Sequence, residues 1–130
     1  MSVAAAPAAL TAALTRWIDA IHQPGEAAHL AAAVVDDIRV ERHAPAPRAD
    51  AAPGAVVEVF EGRAAVAAWL AKSPAGLTFG LEGEVADEAG VLVALYWYEV
   101  DGFKNGGRWR ASTRDGRIAS LAHQPFALEP

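Results

Sequence analysis

The sequence predicts a single α+β domain over residues 1–130, with helices packed on one side of an antiparallel sheet. Three observations carry this. The first third of the chain repeats apolar residues with a helical period. The last third alternates them with period two between short polar turns. The run VLVALYWYEV (Val91–Val100) stays apolar or aromatic on both faces until Glu99, so each side of that strand must be covered.

Leu10, Leu14, Trp17, Ile18 and Ile21 form one helical stripe, and QPG (Gln23–Gly25) stops it. A shorter helix follows, with Ala27, Leu30, Ala31 and Val34 on one face. DDIRVERH (Asp36–His43) alternates and reads as a strand. Residues 44–54 hold three prolines and no period, which predicts a loop, either a lid over a pocket mouth or plain surface slack. AVVEVFE is a short strand. GRAAVAAWLAKSP is a helix with Gly62 as N-cap and Val66, Trp69 and Leu70 on its buried face. Four strands then run to the end, with turns expected at DEAG, DGFKNGG and RDG.

The hydrophobic fraction is 53%, the charged fraction 21% and the net charge −5. This balance fits a globular chain and argues against nucleic-acid binding by phosphate neutralisation. Arg108, Arg110, Arg114 and Arg117 cluster near one hairpin and read as its solvated end. Without cysteine there is no disulfide, thiolate nucleophile or cysteine-based zinc site. No apolar run is long enough to span a bilayer. MSVAAAPAALTAAL lacks a basic leading segment and passes into an amphipathic helix, so it reads as mature protein in a cytoplasmic setting. His22 and His29 are separated by QPG, which argues against a metal site. No glycine-rich phosphate loop is present, and no cofactor is implied.

Four segments resemble the nuclear transport factor 2-like superfamily, on the side of the ketosteroid isomerases and SnoaL-like polyketide cyclases. They are TRWIDAIHQPGE, VVDDIRVER, GRAAVAAWLAKSP and WRASTRDGRIASLAHQPF, which together span nearly the whole chain. The resemblance implies a cystatin-like α+β cone: a strongly curved sheet wrapped around three helices, with an apolar pocket at its open end and a homodimer joined through the outer sheet. It places Leu92, Ala94, Tyr96 and Tyr98 on the hollow face. Val91, Val93, Leu95 and Trp97 then face out, and Val93, Leu95 and Trp97 form the dimer surface.

By the same matching, Trp17, Trp69, Trp109, Leu92 and Leu121 line a ligand pocket, with His123, Tyr96, Tyr98 and Arg42 as candidate catalytic groups. The carboxylates of the isomerases are missing. Their general base falls at Arg42, the tyrosine of their first helix at Trp17, and their second acid near Gly107 or Arg108. Steroid isomerisation by that mechanism is therefore not expected. An inward Arg42 would hold an anionic oxygen, and an outward one would pair with Glu41 or Glu58. His123 is either a hydrogen-bonded core residue or a proton carrier within reach of Tyr96 or Tyr98. The three tryptophans are stacking platforms or simply core. Asp36 and Asp37 point apart and suit capping or solvation. Arg48-Ala49-Asp50 is an R-x-D string like that of the limonene epoxide hydrolase relatives, but it sits in the proline-rich loop and its activity is not carried over.

Two classes of function follow. One is a domain that binds a small hydrophobic or carbonyl-bearing ligand and acts on it as an isomerase, cyclase or dehydratase. The other is a non-catalytic ligand-binding or assembly module of the same fold. The residues alone do not decide between them.

Overall fold

The computed structural model describes residues 4–5, 8–48 and 51–126. Its elements are β1 (Ala4–Ala5), α1 (Ala8–His22), α2 (Ala27–Ala33), β2 (Val34–His43), β3 (Val56–Glu61), α3 (Arg63–Leu70), β4 (Thr78–Glu88), β5 (Val91–Val100), β6 (Phe103–Arg114) and β7 (Arg117–Phe126). The side chain of Leu10, residues Ala49 and Asp50, and the expected end of the last strand at Ala127 and Leu128 lie outside the described residues.

One sheet runs in the order β1-β4-β5-β6-β7-β2-β3. Its pairs are antiparallel except β2 with β7, which run parallel, so the sheet is mixed rather than wholly antiparallel. Register shifts within β4 (after Glu82), β6 (after Ser112) and β2 give the bulges that bend such a sheet. The result is a cystatin-like α+β cone, open between its edge strands β1 and β3.

The helices sit on the hollow face. Leu14, Trp17 and Ile21 of α1, Leu30 of α2, and Val66 and Leu70 of α3 join Ile38, Val40, Leu92, Tyr96, Trp109, Ile118 and Leu121 of the strands in one core. The alternation in β5 sorts its two faces: Leu92, Ala94 and Tyr96 are buried, while Val91, Val93 and Trp97 are half-buried and Leu95 is 37% exposed.

Two boundaries depart from the expectation. Val34 opens β2 instead of closing the second helix, because its extended backbone already caps α2. Only Asp101-Gly102 makes the turn in DGFKNGG. Both residues have positive φ, as a two-residue hairpin requires, and Asn105-Gly106 is absorbed into β6. The loop at 44–54 is tied to β7: the Ala46 N–H donates to the Pro125 carbonyl, and Gln124 bonds both the Gly54 N–H and the Ala44 carbonyl.

Candidate functional site

The site is built by three strands whose registers bring aromatic residues together on the hollow face. β6 pairs with β7 so that Trp109 lies opposite His123. β5 pairs with β6 so that Tyr96 lies opposite Gly107. A side chain at 107 would collide with the Tyr96 ring and the Gln124 carbonyl, so the glycine is what lets the tyrosine lie against the sheet. Tyr96 then stacks on Trp109, with ring centroids 4.4 Å apart and planes 22° apart. Phe79 lies against both rings, 5.5 Å from Tyr96 and 5.7 Å from Trp109.

His123 is hydrogen-bonded through both ring nitrogens. The Trp109 indole donates from Nε1 to His123 Nδ1 at 2.9 Å, and the Tyr96 hydroxyl lies 3.2 Å from His123 Nε2. An indole N–H can only donate, so Nδ1 carries no proton. The proton of the neutral imidazole is therefore on Nε2 and is donated to the Tyr96 oxygen. Burial, then the charge of Arg42, then His43 push the His123 pKa down to about 4. Burial, with a smaller contribution from Tyr98, raises that of Tyr96, so its phenol keeps its proton. Both groups are uncharged at neutral pH.

Beside this chain lies a cavity of about 130 Å³. α1 supplies Trp17 and Ile21 to its wall, and α3 supplies Trp69 and Leu70. Ser73 and Leu77 from the α3–β4 connection, Phe79 and His123 complete it. Trp69 meets the His123 ring edge-on at 5.7 Å and is backed by Phe60 at 4.8 Å. The Trp17 indole N–H is buried and has no hydrogen-bond partner among the described residues. Among the described residues no carboxylate lines the cavity.

Three expected pocket residues do not line it. Trp109, Leu92 and Leu121 are buried in the core, at most 2% exposed, because the sheet curls tightly enough for them to pack on the helices. Tyr96 meets the site through His123 and through Phe79, 5.5 Å away, and Tyr98 packs against Phe79 and Phe103. Arg42 shares a face with His123, its partner across the β2–β7 ladder, but its Nε is taken by Glu58 of β3 at 3.0 Å. Its side chain is 38% exposed and paired with Glu58, the carboxylate partner expected of an outward arginine. Ser73 carried no signal in the sequence. Leu77 and Phe79 are both apolar positions in the alternation of LTFGLEGEV (residues 77–85), which marks one face of a strand.

Among the described residues no cluster of three or more acidic or histidine side chains could hold a metal ion, and no helix is long and apolar enough to cross a membrane. Asp36 and Asp37 do diverge, each onto its own arginine, Arg63 and Arg114. Arg114 holds the Asp37 carboxyl below its usual range. The four arginines of the last hairpin are likewise dispersed: Arg117 bonds the Ala31 carbonyl, and Arg108 lies over the Phe126 ring.

The fold is that of solved nuclear transport factor 2-like and SnoaL-like proteins. A nuclear transport factor 2-like protein of unknown function from Mesorhizobium loti superposes with a TM-score of 0.63 at 21% identity, covering 90% of each chain. A candidate SnoaL-like polyketide cyclase from Jannaschia sp. CCS1 gives a TM-score of 0.68 at 13% identity over 90% of this chain and 85% of that one. A protein of unknown function with a cystatin-like fold from Methylobium petroleophilum PM1 gives 0.70 at 14% identity, over 98% and 80%. No protein-family model and no curated protein matches the sequence.

Proposed function

We propose that this domain is a binding module whose inner cavity takes a small, neutral, largely apolar molecule carrying one hydrogen-bond acceptor. The observation that carries this is the double engagement of His123. A neutral imidazole has one lone pair to offer as a base, and here the Trp109 indole already uses it. With no carboxylate among the described residues of the wall and Arg42 held by Glu58, none of these groups is ready to move a proton. The isomerase, cyclase or dehydratase alternative requires the Trp109–His123–Tyr96 chain to open during turnover.

The ligand class follows from size and polarity. A dry cavity of about 150 Å³ accepts benzene, and this one has about 130 Å³. A buried N–H without a partner is costly, and Trp17 presents one in a residue of the wall. A carbonyl oxygen would satisfy it. Cyclohexanone is a suitable probe, with an expected dissociation constant of about 1 mM for so small a molecule. In an NMR titration the Trp17 and Trp69 indole signals should shift saturably, and less for cyclohexane. Unmoved indole signals would overturn the binding reading. Slow conversion of a carbonyl probe that is abolished in His123→Gln would favour the enzyme.

A homodimer through the outer sheet face is the second part of the proposal. The observation in its favour is the row Val91, Val93 and Leu95, partly open to solvent on the side away from the helices.

A further inference from the structure

We propose that the groove between the α1–α2 turn and α3 is a second binding site, for a small carboxylate with an apolar tail. The groove has a volume of about 340 Å³ and lies on the helical side of the domain. Ala20, Ala27, Leu30, Ala67 and Leu70 make it mostly apolar, and Arg63 stands in its wall. That volume is within the range of small-molecule pockets and more than twice that of the inner cavity.

The charge of Arg63 selects the head group. Its side chain is 29% exposed. One terminal nitrogen, Nη2, serves both the Asp36 carboxylate and, at 3.5 Å, the Val34 carbonyl. Nε is buried with no partner, and Nη1 has none among the described residues. Of the five guanidinium donors, Nη2 is engaged and Nε–H is buried, so the two N–H groups of Nη1 remain for a single charge-assisted contact with a ligand oxygen.

The start of α3 adds to the same end of the groove. Its N-cap is Gly62, held at φ +89°, which has no side chain to cap the first N–H groups. Ala64, in that uncapped first turn, also lines the groove. Two acidic groups oppose an incoming anion. Glu26 is in the wall, its carboxylate 2.9 Å from the His29 ring and its side chain 62% exposed. Asp36 competes directly for Arg63, with a side chain that is 90% exposed.

Octanoate is the probe, with octanol as its neutral counterpart. NMR titration should give saturable octanoate shifts at the amides of residues 25–27 and 63–67, with octanol about tenfold weaker or worse. Arg63→Gln should weaken octanoate about tenfold and leave octanol unchanged. Asp36→Asn, which removes the competitor on an exposed side chain, should tighten octanoate, and it keeps the test decisive if Arg63→Gln fails to fold. Equal binding of octanol and octanoate, or no tightening in Asp36→Asn, would overturn the site. Leu70 is shared by this groove and the inner cavity, so the Trp17 and Trp69 indoles separate the two. Octanoate shifts confined to those indoles would refute the groove without touching the cavity proposal.

Discussion

Trp109 and His123 face each other across the β6–β7 hairpin, and the indole N–H of one is donated to Nδ1 of the other at 2.9 Å. The bond fixes the imidazole tautomer, directs its remaining proton to Tyr96, and opposes any charge on the ring, since a protonated Nδ1 would confront the indole N–H. The same residue in a wet pocket would titrate near neutrality. Here its neutrality is a structural requirement of the core.

Stability should therefore fall with acidity in a defined window. The His123 pKa is about 4 in the folded chain against 6.5 for a free histidine. Above pH 6.5 the ring is neutral in both states, and its contribution is complete. Between 6.5 and about 4 the unfolded chain binds a proton that the folded chain does not, so stability declines as pH falls, by roughly 3 kcal/mol in all. Urea unfolding of wild type and of His123→Gln between pH 7 and 4 isolates this contribution, because the other histidines are common to both. Parallel slopes for the two proteins would refute it.

The second prediction concerns the space Tyr96 occupies. Gly107→Ala would place a methyl group against the Tyr96 ring and the Gln124 carbonyl, moving the phenol off His123. The expected loss is about 2 kcal/mol or more, the combined result of overpacking and a buried hydrogen bond left unmade. Gly25→Ala is the control, since nothing lies within 4 Å of a β-carbon there. Equal urea midpoints for the two variants would show that the Tyr96–Gly107 contact is not tight.

How far the sequence could be read followed the range of the interaction. VLVALYWYEV is apolar on both faces, so its own pattern does not sort them; the family resemblance put Leu92, Ala94 and Tyr96 in the hollow and Val91, Val93 and Leu95 outside, and their burial agrees. The Asp-Gly pairs, a purely local signal, located two hairpin turns. The His123–Trp109 bond depends on pairing across β6–β7, with a register shift after Ser112, and nothing in either strand alone announces that shift. Arg42 shows the same limit. The alternation of DDIRVERH alone leaves its facing open, and the choice of Glu58 over Glu41 as partner required the β2–β3 register. The cavity was legible least of all. Whether Trp17, Trp69 and Trp109 surround a space or fill it is a matter of packing, and Trp109 turned out to fill it.

The last prediction tests the outer face. Trp97 is less available to a partner than its alternation suggests. It lies over Gly80, where a β-carbon would collide with the indole, and the Lys104 ammonium sits 5.1 Å from the ring centroid. Leu95 is the more open residue, at 37% exposure, with Arg108 and Glu82 opposite it on the neighbouring strands. Burying it on both copies of a symmetric dimer contributes about 2 kcal/mol per copy, so Leu95→Lys should raise the dimer dissociation constant about a hundredfold or more. The folded monomer should change by only about 0.5 kcal/mol, as an exposed position allows. Light scattering of the wild type should give twice the 13.6 kDa chain mass, and the variant should give the chain mass itself at the same concentration. A wild type that stays monomeric when concentrated, or a variant that dimerises as tightly, would remove the outer sheet face from the proposal.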